Sequence, residues 1–232
     1  MTLLHATDFH FNKSWFYWLL HSAPANGLVV LTGDLLDRSR GVPLASQIDW
    51  VSGWLREFPR PLCVCSGDHD RQWDERAARW TPAYWLRDIG NPLVSVDGQR
   101  THVGGLSLLS IGGTTHPKGG AADIWAVHEP ASGTLVALDK ERGMRGDPSL
   151  MTAVERFSPR LVLSGHVARP ARWRHHVGRT MFLNPGSDPE AVFPNHILVH
   201  AESLASRLVT DRRKEHPFET VVPMNSPLAA AV

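Results

Sequence analysis

Cysteine is nearly absent: Cys63 and Cys65 are the only two in 232 residues. They stand two apart in an apolar run, so in a strand both point along one face, a geometry that does not suit a bond between them. They read as small core hydrophobes, and no disulfide framework is available to the fold. An excess of charge of one sign is lacking as well, with 24 Lys and Arg against 23 Asp and Glu and a formal net charge of +1. No global field draws the chain to nucleic acid or membrane, and any such attraction must be local. No apolar run reaches the length of a membrane span, and no internal repeat is visible. The first strand candidate begins at Thr2, which leaves no room for a charged and then apolar leader, so a cytoplasmic location and no membrane partner are expected. Against these absences stand 13 His and 9 Trp, enough to make a metal site or an aromatic-lined groove worth seeking.

The length allows one substantial core, and a single α/β domain is expected over residues 1–210. Short apolar runs alternate with amphipathic ones: "TLLHATDFH", "NKSWFYWLLHS", "GLVVLTGDLLD", "PLASQIDWVSGWLREF", "PLCVCSGDHD". This strand–helix–strand rhythm predicts parallel pairing with helical crossovers, and function gathered at the carboxyl ends of the strands. Trp15, Trp18, Trp50 and Trp54 fall at helical spacings suited to core packing. Further on, "WDERAARW" and "AYWLRDIG" read as helical, "PLVSVDG" and "LSLLSIGG" as strands and "THPKGGAAD" as a loop. "IWAVHEP" follows, then a helix near "PSLMTAVERF", then "RLVLSGHV", "RWRHHVGRTMFLNPGS" and "NHILVHAES", mostly strands. Residues 211–232 turn charged, then Pro-rich and small, and are expected to be a surface-packed or disordered tail.

Five apolar runs end alike. "LLHAT" delivers Asp8 and His10, "LVVLTG" delivers Asp34 and Asp37, and "LCVCSG" delivers Asp68, His69 and Asp70. "IWAV" ends at His128 and "LVLSG" at His166. In a parallel sheet all five lie along one edge, where oxygen and imidazole donors from several loops make a site for divalent cations such as Mn, Fe or Zn. Gathering this much like charge without a cation is costly. Gly33, Gly67 and Gly165 each precede an acid or His and are expected to let the backbone turn sharply. His102, His116 and His196 sit in no motif, and His5 is expected to pack within the first strand.

These motifs resemble those of the calcineurin-like metallophosphoesterase superfamily. "DFH" matches its D-x-H, "GDLLD" its G-D-x-x-D, "GDHD" its G-N-H-[DE], "AVHEP" its single-His strand end, and "GHVARP" its G-H-x-H, in order, with "NPGS" at 184–187 after the last. The resemblance implies a four-layer α/β/β/α sandwich with a mixed sheet pair. It implies a hydrolase of phosphoric ester bonds, acting on a phosphodiester or phosphomonoester by in-line attack of a metal-bound hydroxide. The ions would be divalent, Mn, Fe, Zn or Ni, with Asp34 bridging two. The first would take Asp8 and His10; the second, Asp68, His128 and His166. His69 would protonate the leaving oxygen and Asp70 would orient His69.

The chain departs from that pattern twice. Asp68 replaces the family's Asn, adding a negative charge beside the ions. Ala168 stands where the last His would complete the first ion's ligands, so one tight ion at the second position and a weak or absent one at the first are expected. Arg38 follows Asp37 as in the G-D-x-x-D-R form, so it and Arg169 are candidates to bind the phosphate. Residues 169–179, "RPARWRHHVGR", are locally basic with an interleaved Trp, which leaves a nuclease acting on DNA or RNA open. The bland alternative is an edge strand whose charges block pairing. A non-catalytic scaffold binding a protein partner also stays open, although it has no use for the leaving-group acid His69. Residues 71–116 are the one candidate for walls around the site.

Overall fold

The computed structural model describes residues 1–23, 27–39, 41–112 and 120–211. The expected tail beyond Asp211, His116, and residues 115–119 of the expected loop lie outside the described residues. Twelve main strands form two mixed sheets of six. The first sheet holds β1 (Thr2–Ala6), β2 (Gly27–Thr32), β3 (Leu62–Cys65) and the short β4 (Val94–Ser95). The second holds β5 (Arg100–Val103), β6 (Leu106–Ile111), β7 (Ile124–Val127), β8 (Leu161–Leu163), β9 (Arg174–Val177) and β10 (Thr180–Leu183). β11 (His196–His200) and β12 (Ser206–Val209) return to the first sheet.

Its order is β12-β11-β1-β2-β3-β4, with β1 to β4 parallel and β11 antiparallel to β1. The order of the second is β9-β10-β8-β7-β6-β5, parallel in its middle and antiparallel at both edges. The predicted crossovers are α1 (Lys13–Ser22) between β1 and β2, and α2 (Leu44–Glu57) between β2 and β3. Each buries a stripe at helical spacing: Trp15, Phe16 and Leu19 on α1, and Gln47, Val51, Trp54 and Leu55 on α2. α3 (Pro148–Phe157) begins where the Asp147 carboxylate accepts from the Ser149 amide at 2.7 Å, with Pro at the first turn.

Period-two alternation in the strands divides the apolar residues among three cores. Leu4, Val29, Leu31 and Val64 face α1 and α2. Leu3, Leu28, Val30 and Cys63 face the second sheet, where they meet Leu108, Ile124, Leu161 and Met181. Trp125, Val162 and Phe182, on the far side of that sheet, pack with Leu150 and Val154 of α3. The layering is therefore helix, sheet, sheet, helix, as the resemblance implied. Cys63 and Cys65 are free and buried on one face, as their spacing predicts. No described helix is long and apolar enough to cross a membrane.

One expected helix is absent. "WDERAARW" forms a two-stranded antiparallel ribbon, Gln72–Asp74 against Arg79–Thr81, with Trp73 opposite Trp80. Along 72–80 every residue is exposed or half-buried, so a helix here would have no core face to pack and is too short to stand alone. The Trp73 and Trp80 rings meet edge to face at 5.6 Å, and the Asp74 carboxylate accepts from the Ala77 amide at 3.0 Å to close the turn. "AYWLRDIG" yields only a short 3₁₀ helix, Tyr84–Asp88. The basic segment enters β9 only at Arg174, on the edge of the second sheet, while Trp173 packs against the inter-sheet core.

Candidate metal centre

The parallel strands deliver their terminal polar groups to one edge, and the loops there are stitched together by main-chain bonds. The amides of Asp8, His10 and Phe11 donate to the carbonyls of Gly33, Asp34 and Leu35 at 3.1, 2.8 and 2.9 Å. Holding this register puts Asp8, His10, Asp34 and His166 at φ of 54°, 44°, 53° and 66°, a left-handed conformation that ordinary residues avoid. Strain of this kind collects where a backbone is held for function. Gly33 turns at φ 87°, as expected. Gly67 has another purpose, because a Cβ there would lie 2.1 Å from the Asp34 Oδ1 atom. Its lack of a side chain lets the third loop close against the second.

Three overlapping groups of donors result: His10, Asp34 and His69; Asp8, Asp34 and His128; and Asp68, His128 and His166. Within each, the donor atoms lie within 4.8 Å of one another. One oxygen of Asp68 stands 3.2 Å from both the His128 Nε2 and the His166 Nδ1 atoms. The His128 Nδ1–H donates to the Thr32 carbonyl at 2.8 Å, which fixes the tautomer and leaves Nε2 aimed at Asp34 and Asp68. The His10 Nδ1 atom is buried with no hydrogen-bond partner among the described residues. Buried carboxylates and several imidazoles, one of them braced from behind, make the mixed oxygen and nitrogen donor set that transition metals bind.

The electrostatics match that reading. Burial pushes the Asp8 carboxyl up, against the opposing pull of His128. Burial acts the same way on Asp34, but His128, helped by His10, outweighs it and holds this carboxyl below its ordinary value. Hydrogen bonds from His128 and His166 hold Asp68 far below the carboxylate range. For His128, burial alone would lower the pKa, yet Asp34, Asp68 and Asp8 together hold it well above the ordinary imidazole value. A centre this rich in carboxylate draws positive charge from its own histidines.

His69 borders this centre, its ring edge to face with His10 at 4.7 Å. The Arg38 amide donates to its Nδ1 atom at 3.3 Å, and the Asp37 Oδ1 atom lies 3.9 Å from the same nitrogen. Arg38 reaches Asp68 at 3.3 Å, with its guanidinium 5.1 Å over the Trp80 ring. Two expectations are corrected. Asp70, adjacent to His69 in sequence, turns inward, and its two oxygens accept from the Leu36 and Gly67 amides at 2.9 and 2.8 Å. It braces the loop, and the carboxylate beside His69 is that of Asp37. Arg169 turns to the surface and pairs with Glu141 rather than with the cluster.

Other bracing groups carried no strand-end signature. Gln47, buried in α2, receives the Asp37 amide at 2.8 Å and donates to the Asp37 and Val42 carbonyls at 2.9 Å, a role signalled only by a Gln on an apolar helix face. Asn184 of "NPGS" donates to the Gly165 and Val167 carbonyls at 3.0 and 3.2 Å and accepts from the Gly186 amide at 2.8 Å, pinning the turn that carries His166. His5 lies buried against the Thr32 hydroxyl at 2.9 Å, as expected of a packed residue, and His196 is buried in β11.

No curated protein matches the chain in sequence. Among solved structures, TT1561 of Thermus thermophilus superposes with a TM-score of 0.60 at 14% identity, covering 91% of this chain and 99% of its own. A novel archaeal phosphodiesterase gives 0.55 at 15% identity, covering 90% and 99%. Vacuolar Protein Sorting 29 from Cryptosporidium parvum gives 0.51 at 16%, covering 96% and 98%. At these identities the likeness is one of fold. A family model, calcineurin-like phosphoesterase, matches residues 1–170, the span that carries the five strand-end clusters. The chain therefore belongs to the calcineurin-like phosphoesterase family, the metal-dependent hydrolases of phosphoester bonds.

Proposed function

We propose that the strand-end cluster hydrolyses a small phosphodiester or phosphomonoester, with Asp8, His10, Asp34, Asp68, His128 and His166 holding the metal. The observation that supports this is the overlap of the donor groups, chained through Asp34 and His128, with His69 at their margin. Divalent cations held there would set positive charge against the phosphoryl oxygens. His69 accepts the Arg38 amide on Nδ1, so its proton sits on Nε2, free to pass to the departing oxygen. The Asp37 carboxylate lies 3.9 Å from the Nδ1 atom on the other edge of that ring. Arg38, now on Asp68, exchanges that carboxylate for a phosphate oxygen when substrate arrives.

Mn, Fe, Zn and Ni all suit this mixed oxygen and nitrogen set. With Ala168 contributing no donor, one ion is tight, held by Asp34, Asp68, His128 and His166. Equilibrium dialysis against Mn²⁺ should find close to one ion per chain and close to two in Ala168→His; two tight ions in the unaltered chain would sink this assignment.

A nuclease acting on DNA or RNA is supported by its own observation, a cavity of about 530 Å³ whose lining includes Lys140, Arg169, Arg172 and Arg174. Nucleic-acid affinity falling steeply with salt would favour it. The deciding experiment is Mn²⁺-dependent hydrolysis of bis(p-nitrophenyl) phosphate and of p-nitrophenyl phosphate by the unaltered chain and His69→Ala. Turnover that requires metal and drops by about 10²-fold or more without His69 is expected. Folded, metal-loaded protein that turns over neither ester would overturn the hydrolytic reading and favour a partner-binding member of the family.

A further inference from the structure

Arg38 faces two ways, and its second face touches a surface the hydrolytic centre does not use. On one side its guanidinium meets Asp68; on the other it lies over the Trp80 ring at 5.1 Å and lines a cavity of about 290 Å³. Asp37, the carboxylate beside His69, lines the same cavity, so the cavity borders the cluster through both Arg38 and Asp37. The remaining wall is largely apolar: Val42, Pro43 and Leu44 from the start of α2 and the segment before it, and Trp80 from the ribbon. Val42, Trp80 and Trp73 are 41%, 41% and 48% exposed, an apolar patch concentrated at one place beside a highly polar centre. Register places Trp73 directly opposite Trp80, so both indoles stand on one face of the ribbon.

We infer that this cavity is a subsite for the base of a nucleotide, stacked on Trp80 while Arg38 spans base and phosphate. The inference rests on the phosphoesterase reading and names the substrate class for it. An indole offers a π-face to any base, and the guanidinium 5.1 Å over that indole adds a cation beside the stacking surface, toward the phosphate. An aliphatic alcohol would use neither feature. The two polar residues of the lining beside Arg38, Asp37 and Gln47, are held in bonds to one another and to the loop backbone, so the wall that remains for a ligand is apolar and aromatic.

The test compares AMP with ribose 5-phosphate, which share the phosphate and sugar and differ by the base, by calorimetric titration in Mn²⁺ buffer. AMP should bind roughly tenfold more tightly, equivalent to about 1.4 kcal/mol. That ratio should fall to near one in Trp80→Leu and be restored in Trp80→Phe. Val42→Glu, in the same lining but on another segment and at an exposed position, should abolish the ratio independently, so a misfolded ribbon variant does not leave the question open. Equal affinities in the unaltered chain, or an AMP preference that survives both Trp80→Leu and Val42→Glu, would overturn the subsite while bis(p-nitrophenyl) phosphate turnover keeps the hydrolytic reading intact. Binding of neither compound, together with no turnover, would overturn both.

Discussion

Asp68 meets two imidazoles through one oxygen and a guanidinium through the other. A neutral amide at this position, the family's usual residue, could still offer its oxygen to metal, but its NH₂ group could not accept from Arg38. Asp68→Asn is therefore expected to weaken Mn²⁺ binding about tenfold while releasing Arg38 to bind phosphate more tightly. Calorimetric Mn²⁺ titration, with inorganic phosphate inhibition beside it, checks both; unchanged constants would show that the extra charge is silent. Asp37 poses a subtler question, since its Oδ1 atom accepts from the Ser39 amide at 2.8 Å as well as facing His69. Asp37→Asn keeps the shape and removes the charge, so kcat should fall about tenfold with KM little changed. The loss should be larger for an alkyl leaving group than for p-nitrophenolate, which needs no proton. A uniform loss across leaving groups would make Asp37 a structural support only.

The loops are braced from behind, and the clearest brace is Asn184 under the His166 turn. Asn184→Ala leaves the Val167 carbonyl and the Gly186 amide without their side-chain partner in a buried place, a destabilisation of about 2 kcal/mol. Because His166 rides on that turn, Mn²⁺ affinity should fall with it; a lowered urea midpoint with unaltered metal affinity would confine Asn184 to folding. Such braces were hard to read in the sequence, whereas the strand-end donors were plain, for a physical reason. Donors follow apolar runs whose period declares a strand, so Asp8, Asp34, Asp68, His128 and His166 mark themselves by position. Braces act across the fold, and chain adjacency misleads about them: Asp70 touches Leu36 and Gly67 rather than its neighbour His69, while Asp37 reaches His69 from another loop. The ribbon at 72–81 failed for a related reason. "DERAAR" carries helical propensity, and what overrides it is one cross-strand Trp pair, visible only once the chain has folded back.

Among the described residues, the core between the two sheets holds one imidazole, His5, and it ties the stability of the molecule to pH. His5 shares the face of β1 with Leu3, which packs in the inter-sheet core, and is fully buried; its Nε2 atom meets the Thr32 hydroxyl while its Nδ1 atom has no partner among the described residues. Burial pushes its pKa down from 6.5 to about 3. The folded chain thus refuses a proton that the unfolded chain accepts below pH 6.5. The sign follows: the contribution of His5 is fully present above pH 6.5 and is lost as pH falls toward 3, at about 1.4 kcal/mol per pH unit. By pH 5 the loss is about 2 kcal/mol relative to pH 7.5. His5→Leu removes the titration, so urea unfolding of the two chains in metal-free buffer at pH 7.5, 6 and 5 should give curves that converge or cross as the pH falls. Parallel curves would show that water or a shift of β1 against β2 lets the native state take the proton, and that the sheet pair is looser than its packing implies.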